Sequence, residues 1–193
     1  MSAEDTATVT LTLEPTDVSG ADAHDFVAIY RAWFRPVYRW IRALGGPGIE
    51  AEDLTQEVFI VVQRKLAGFD GANLAGWLYR ISQLTVRDHR RRAWFRNLFL
   101  RARDVAPDDV ATPADALDER LMRKQQQVRL YELVDQINPR WREVFLLFEV
   151  GGQSGEQIAG LLGIPPATVR VHLFRARKAL TALVARQRAG GRR

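Results

Sequence analysis

Apolar residues recur along this chain at steps of three and four, which is the spacing of amphipathic α-helices. This helical spacing is far more extensive than any alternation of apolar and polar residues, which a half-buried strand requires. The pattern therefore predicts an all-α fold. The predicted helices span residues 22–44, 50–66, 73–95, 117–136, 139–150, 154–162 and 166–186.

A stretch without basic residues divides the chain near its middle. Residues 104–119 (DVAPDDVATPADALDE) contain two prolines, no aromatic residue and no sustained apolar period, which is typical of a flexible linker. We therefore expect two small helical domains joined by this acidic linker. The predicted segments are a flexible acidic N-terminus at 1–21, domains at 22–103 and 120–187, and a basic tail at 188–193.

Composition excludes several classes of protein. The 193 residues include no cysteine, so disulfides, thiol catalysis and cysteine-ligated zinc are excluded. Three scattered histidines make a metal site unpromising, and we expect no cofactor. The chain starts without a secretory signal and contains no apolar run long enough to span a bilayer, so we expect a cytoplasmic protein without membrane insertion.

Basic charge is concentrated in both predicted domains. The net charge is +5, and 25 of the 28 basic residues are arginine, whose planar fork suits phosphates and base edges. Residues 80–103 hold eight arginines against one acid, and residues 170–193 hold eight basic residues and no acid. The distribution predicts a polyanionic partner for each half, although a solvated charged face is the simpler alternative.

The second half contains the signals of a helix-turn-helix. Ser154 and Gln157 have the spacing of a capping box, which starts a short helix at a defined residue. Gly163 can adopt the positive φ of a tight turn, and Pro165-Pro166 suits the first turn of the next helix. This arrangement places a second helix in the DNA major groove.

The second helix of this motif has two distinguishable faces. Val169, Leu173, Ala176 and Leu180 define the face that packs inward. Apolar residues on the opposite face indicate contact with something other than water, such as a thymine methyl, whereas the alternative is a solvated basic helix in an ordinary bundle. The predicted outward residues are Ala167, Val171, Phe174, Arg175 and Lys178, with Arg170 and His172 at the edges.

Helix 50–66 is predicted to turn Glu52, Gln56, Phe59, Ile60 and Gln63 outward, which suggests a protein interface. Two alternatives remain open. Phe59 and Ile60 would instead pack on the aromatic-rich first helix, or Glu52, Asp53 and Glu57 would bind a divalent metal in a nuclease.

Helix 73–95 combines an aromatic residue with arginines on its predicted outward face. That combination suits single-stranded nucleic acid, because bases stack on the ring and phosphates pair with the arginines. The outward residues are Tyr79, Arg80, Gln83, Arg87 and Arg90.

Three stretches, in this order along the chain, resemble the extracytoplasmic-function (ECF) group of bacterial RNA polymerase sigma factors. AEDLTQEVFIVVQRKL within residues 50–66 resembles the polymerase-core-binding helix of the family. GFDGANLAGWLYRIS at 68–82 resembles its promoter-melting loop and helix. INPRWREVFLLFEVGGQSGEQIAGLLGIPPATVRVHLFRARKAL at 137–180 resembles its minus-35-binding domain.

The resemblance implies a promoter-recognition subunit rather than an enzyme, with core RNA polymerase and promoter DNA as partners and an anti-sigma protein as a further candidate. The implied core-binding residues are Asp53, Gln56, Glu57, Phe59 and Ile60. The implied minus-10 residues, which hold the melted non-template strand and a flipped base, are Phe69, Asp70, Gly71, Asn73, Tyr79, Arg80, Gln83, Arg87, Arg90 and Arg91. The implied minus-35 residues are Arg170, Val171, His172, Phe174, Arg175 and Lys178.

The sequence departs from the family pattern at several of these positions. Leu84 stands where the family usually has Asn, and Ala167 stands where it usually has Gly. Val171-His172 replaces a usual Ser-Arg pair, and Gly155 replaces an aromatic residue. The preferred promoter bases therefore cannot be transferred from relatives. A stand-alone dimeric helix-turn-helix regulator is the alternative function, and it leaves helix 50–66 unexplained.

Overall fold

The computed structural model of the chain describes residues 25–101 and 115–190. Every regular element within these two ranges is helical, which confirms the predicted fold class. A 3-10 turn at Leu66–Gly68 follows the second helix. The α-helices are α1 (Phe26–Gly45), α2 (Ala51–Lys65), α3 (Leu74–Arg101), α4 (Asp115–Val134), α5 (Pro139–Glu149), α6 (Gly155–Leu162) and α7 (Pro166–Gly190).

The observed helices follow the predicted ones in number and order. Three ends show the differences that matter for the predicted segments. Helix α3 continues to Arg101 rather than ending at residue 95, and α4 begins at Asp115, so residues 115–119 of the predicted linker are helical. Helix α7 continues to Gly190 rather than ending at residue 186, so residues 188–190 of the predicted tail are helical as well. The other predictions for the acidic N-terminus, the linker and the end of the tail concern residues outside the described ones, at 1–21, 104–114 and 191–193.

Helices α1, α2 and α3 pack around one another in the first half of the chain. Helix α1 begins at Phe26 because the Asp25 carboxylate accepts a hydrogen bond from the amide of Val27 at 2.9 Å. Its buried face then recurs every three or four residues, and it packs on the apolar faces of α2 and α3. The buried residues of that face include Ile29, Trp33, Val37, Trp40 and Ile41.

The second half contains the predicted helix-turn-helix, formed by α6 and α7. The Ser154 hydroxyl accepts from the Gln157 amide at 3.2 Å, and the Gln157 side chain accepts from the Ser154 amide at 2.8 Å. This reciprocal pair is the predicted capping box. Gly163 ends α6 with a φ of +63°, as its place in the turn requires. Local sequence signals therefore set both ends of α6.

The two halves pack against each other. One continuous cluster of buried side chains contains Trp40 of α1 and Leu78 of α3 together with Leu147 of α5 and Ile158 of α6. Helix α5 contacts α1, and α6 contacts α3. Part of the surface of each half is therefore buried against the other half, and only the remaining exposed faces can contact a partner in this arrangement. Among the described helices, none combines the length and apolarity needed to cross a membrane.

Candidate nucleic-acid interface

Helix α7 presents an exposed face that is both basic and apolar. Val169 and Ala176 are buried, so they fix the rotation of the helix and leave the opposite face in solvent. Phe174 is 68% exposed and Val171 is 44% exposed. A large aromatic ring at such a surface suits contact with base edges in a groove. The other exposed residues of the face are Ala167, Arg170, Arg175 and Lys178.

Helix α5 supports part of this face. The guanidinium carbon of Arg175 lies 5.8 Å from the ring centroid of Trp141, within cation–π range. His172 is partly buried, in keeping with its predicted place at the edge of the face. Burial, followed by the positive charges of Arg175 and Arg140, lowers the pKa of His172 and favours the neutral imidazole. The Trp141 ring thus positions the Arg175 guanidinium, and the neutral His172 side chain lies beside it on α7.

Helix α2 exposes most of the residues predicted to contact a protein partner. Ile60 is 47% exposed, and it lies among exposed polar side chains. Phe59, however, is only 2% exposed, so the prediction that it points outward is wrong. Its ring packs among aromatic residues of α1, including Tyr30 at a centroid distance of 4.8 Å. Of the predicted core-binding residues on α2, the structure therefore exposes Asp53, Gln56, Glu57 and Ile60.

The metal-binding alternative for α2 finds no support in the geometry. Glu52, Asp53 and Glu57 are all exposed. Within the described residues, no group of three or more histidines and acids is close enough to hold a metal ion. A nuclease mechanism on this helix would need such a group to position a divalent cation.

The loop before α3 combines a buried aromatic residue with an exposed, well-defined turn. Phe69 is buried and stacks on Trp77 at a centroid distance of 4.7 Å. The Asp70 carboxylate accepts from the Ala72 amide at 3.0 Å, and Gly71 has a φ of +76°. Asn73 accepts from the Gly76 amide at 2.8 Å. The exposed loop residues predicted to surround a base are Asp70, Gly71 and Asn73.

Helix α3 divides the predicted strand-binding residues into an exposed set and a covered set. Tyr79 is only 3% exposed, so the prediction that it faces outward is wrong. Its ring lies edge-on to Trp40 at 5.5 Å, and burial together with the Glu143 carboxylate raises its pKa well above the usual value. Gln83 and Arg90 are partly buried. The exposed set is Arg80, Arg87 and Arg91.

Sequence reasoning did not single out the residues that cover this part of α3. Glu143 directly precedes the apolar run VFLLF (144–148) of α5, and an acid next to such a run is a signal of a specific polar contact. Asp135 follows α4 and has no comparable signal in its neighbours. Both residues approach α3 only because the two halves fold together.

The fold and its exposed faces define a class of protein: an all-helical, DNA-binding protein with a helix-turn-helix in its second half and a basic helix in its first. Comparison with known families refines that class. "Sigma-70 region 2" matches residues 29–96, and "Sigma-70, region 4" matches residues 127–180. The chain belongs to the sigma-70 family of RNA polymerase sigma factors, in its ECF group, and directs promoter-specific transcription initiation.

Curated relatives cover most of the chain. The ECF RNA polymerase sigma factor SigE of Mycolicibacterium smegmatis is 31% identical over 176 residues, which are 86% of this chain and 67% of that protein. The RNA polymerase sigma factor NccH of Alcaligenes xylosoxydans xylosoxydans is 25% identical over 164 residues, covering 84% of this chain and 88% of the relative.

Two solved structures share the arrangement of helices. CnrH in complex with the cytosolic domain of CnrY has a TM-score of 0.55 and 21% identity, with 86% of this chain and 94% of that chain covered. The sigma factor RpoE of Bartonella quintana, in complex with the anti-sigma factor NepR, has a TM-score of 0.51 and 25% identity, with 83% and 97% covered. At 21% identity, the likeness to CnrH supports only the helical fold.

Proposed function

We propose that this sigma factor docks on core RNA polymerase through the exposed face of α2 and reads promoter DNA through two separate surfaces. The exposed face of α7 carries this proposal. It is a basic helix face on which Phe174 and Val171 are exposed, and such a face suits contact with base edges in the DNA major groove better than contact with solvent. The protein contributes promoter recognition and no catalytic step of its own.

Each surface has residues suited to its part of the promoter. On α7, Arg170 and Arg175 would contact guanine edges or phosphates of the minus-35 element, and Phe174 would contact a thymine methyl. On α3, Arg87 and Arg91 would neutralise phosphates of the melted minus-10 strand. Leu84, which is 37% exposed, offers an apolar contact where the family usually has an amide.

The docking surface on α2 joins polar and apolar contacts. Ile60 would supply the apolar centre, and the side chains of Asp53, Gln56 and Glu57 would supply the polar rim. This composition is typical of a protein interface, in which a central apolar residue carries much of the binding energy. Phe59 would support this surface from beneath by packing on α1.

An inhibitory partner and a cellular location belong to the same proposal. The RpoE relative was solved with an anti-sigma factor, and 83% of this chain matches it. We expect an anti-sigma protein to bind this chain as well and the chain to act in the cytoplasm, where core polymerase and promoter DNA are found.

Run-off transcription tests the proposed function directly. Purified chain and core polymerase would be incubated with a library of genomic fragments, and the transcripts would be sequenced. We expect discrete start sites preceded by a common pair of elements, with no such transcripts from core alone. A chain that produces no promoter-specific transcript with active core would overturn the assignment.

The dimeric regulator predicts a different result in a binding assay. A sigma factor depends on core polymerase to set its two DNA-binding surfaces at the spacing of the promoter elements, so the isolated chain should bind duplex promoters weakly. Nanomolar, sequence-specific binding without polymerase, at physiological salt and with a dimeric mass in solution, would favour the regulator instead.

A further inference from the structure

A cavity of about 270 Å³ lies between α1, the start of α3 and α6. Its walls are mostly apolar and include Trp33, Pro36 and Trp40 of α1 and Leu161 of α6. An apolar cavity of about 150 Å³ is large enough to bind benzene. The volume observed in this chain therefore suits a compact ligand of about two fused rings.

Two buried hydrogen-bond donors belong to the walls of this cavity. Trp33 is 7% exposed and Trp40 is 1% exposed, and their ring centroids lie 5.9 Å apart. The indole N–H groups of both residues are buried without a hydrogen-bond partner among the described residues. A buried donor without a partner destabilises a fold, so a ligand that carries acceptor atoms would supply what these two side chains lack.

Amide side chains in the walls also turn donors towards a ligand. The Gln157 side-chain oxygen accepts from the Ser154 amide at 2.8 Å, and the Asn73 side-chain oxygen accepts from the Gly76 amide at 2.8 Å. Both amide oxygens are thus engaged, and the NH₂ groups are the ends that remain for another partner. The Asn73 NH₂ group makes only a long contact, at 3.4 Å, with the Gly160 oxygen.

The charge beside the cavity is positive. Arg39 of α1 lines the cavity and is exposed, so its guanidinium lies on the solvent side of the walls. Arg39 makes no ion pair with any residue in the described part of the chain. The described residues that line the cavity include no aspartate or glutamate. An anionic acceptor is therefore the ligand group that these walls favour, and a carboxylate is the ordinary anion of this kind at pH 7.

We propose that this cavity is a binding site for a small aromatic monocarboxylate. Its fused rings would pack against the indoles of Trp33 and Trp40, in the offset or edge-on arrangements that aromatic pairs prefer. Its carboxylate would accept from the indole N–H groups and face the Arg39 guanidinium, replacing any water bound there. The site goes beyond the proposed function, because neither polymerase binding nor promoter recognition requires this ligand.

Calorimetric titration of the full chain with 2-naphthoate tests the site and its ligand class. We expect saturable one-to-one binding with a dissociation constant below about 1 mM. The control ligand is 2-naphthylmethylammonium, which has the same rings and the opposite charge, and it should bind roughly 10-fold more weakly because the walls offer donors and a positive charge. Equal affinities would overturn the carboxylate class. No saturable binding of 2-naphthoate would show that the cavity holds solvent only, and would overturn the site.

Two glycines of α6 provide a matched pair of variants that locates the binding. Gly160 lines the cavity and Gly155 does not, and an added Cβ at either position meets no atom within 4 Å. Gly160→Leu should fill the opening and abolish saturable binding of 2-naphthoate, whereas Gly155→Leu should bind like the parent. Parental affinity of a folded Gly160→Leu chain would overturn the location.

Exposed arginines of α1 provide a second matched pair. Arg39→Gln should weaken 2-naphthoate binding by roughly two- to fivefold, the size of a solvent-exposed ion pair. Arg35→Gln, which removes the same charge from an exposed position outside the cavity walls, should leave the affinity unchanged. Equal effects of the two substitutions would contradict a contact between the carboxylate and Arg39.

Nuclear magnetic resonance of the ¹⁵N-labelled chain reports on the two indole donors directly. The chain has five tryptophans, and the indole signals of Trp33 and Trp40 are assigned by their loss in Trp33→Phe and Trp40→Phe. Both signals should move downfield as 2-naphthoate is added, because each N–H gains an acceptor. The signal of Trp141, which is not among the cavity walls, should stay in place. Saturable binding that leaves the Trp33 and Trp40 signals unmoved would place the ligand elsewhere and overturn the proposal.

Discussion

Phe59 and Ile60 are neighbours on α2 with opposite environments. The Phe59 ring belongs to an aromatic cluster with Phe26, Tyr30 and Phe34, whereas the Ile60 side chain lies in solvent. A burial difference of this size separates the two contributions: Phe59 stabilises the fold, and Ile60 is available to a partner. The same truncation should therefore have different consequences at the two positions.

We expect Ile60→Ala to weaken binding to core polymerase by about 2 kcal/mol, because it removes the apolar centre of the interface. The unfolding temperature should change little. Phe59→Ala should instead lower the free energy of unfolding by about 3–5 kcal/mol, as ring deletions in cores do. Core affinity by fluorescence titration and thermal unfolding by circular dichroism test both. Unchanged core affinity of a folded Ile60→Ala chain would contradict the role of this surface.

We expect Trp141 to affect DNA recognition through Arg175, whose guanidinium lies 5.8 Å from the Trp141 ring centroid. Trp141→Ala should weaken minus-35 binding by about two- to fivefold, the size of an exposed cation–π contact, and should relax base choice at one position. Trp141→Phe keeps an aromatic face and should restore most of the selectivity. Holoenzyme affinity for a panel of single-base minus-35 variants measures this. Loss of affinity without any change in base choice would indicate a purely structural role for Trp141.

At the scale of single helices, the capping box of α6 determines where the helix-turn-helix begins. Ser154→Ala removes the side-chain acceptor for the Gln157 amide and should cost about 1 kcal/mol of stability. Thr181→Ala is a matched control, because that exposed hydroxyl bonds only to the Arg177 oxygen of its own helix. Hydrogen exchange at α6 and thermal unfolding measure the difference. Equal effects of the two substitutions would show that the cap is not needed.

Helix positions and the α7 face were predictable because their signals are local. The Ser154–Gln157 pair, the turn at Gly163 and the spacing of Val169, Leu173 and Ala176 all act within a few residues. The exposed state of Phe174 follows from that spacing. The assignment of the first half to a strand-binding role came from family resemblance together with its arginine-rich composition.

The burial of Tyr79 and Gln83 on α3 could not be predicted from the helical spacing of apolar residues alone. Helix α3 packs on α1 and α2 and also contacts α6, and its Tyr79 and Gln83 side chains donate to Glu143 of α5, so two of its faces are occupied. A period of 3.6 residues identifies the stronger apolar face, and Tyr79 and Gln83 fall outside it. Their partner Glu143 is distant in sequence, and no local pattern reports such a contact.

The whole molecule combines a shared apolar core with polar contacts between its halves. One of these is made by the Tyr131 hydroxyl of α4, which donates to the backbone oxygens of Arg42 and Ala43 at the end of α1. Burial raises the pKa of Tyr131 from 10.0 to about 12, with Arg90 and Arg42 opposing and Asp135 adding to the rise. The neutral phenol is therefore favoured when the halves are together, and its contribution to stability is present below pH 10 and lost as the pH rises towards 12. At physiological pH this contact is fully formed.

A shared core should make the two halves unfold together. Differential scanning calorimetry of the intact chain should show one transition whose calorimetric and van't Hoff enthalpies agree, because neither half can lose its structure without exposing the other. Tyr131→Ala removes the hydroxyl and ring that bind the end of α1, and this variant should show two separate transitions. Tyr30→Ala, a truncation within the first half alone, should lower the transition temperature without dividing it. Two transitions in the unaltered chain would show that the halves are thermodynamically independent.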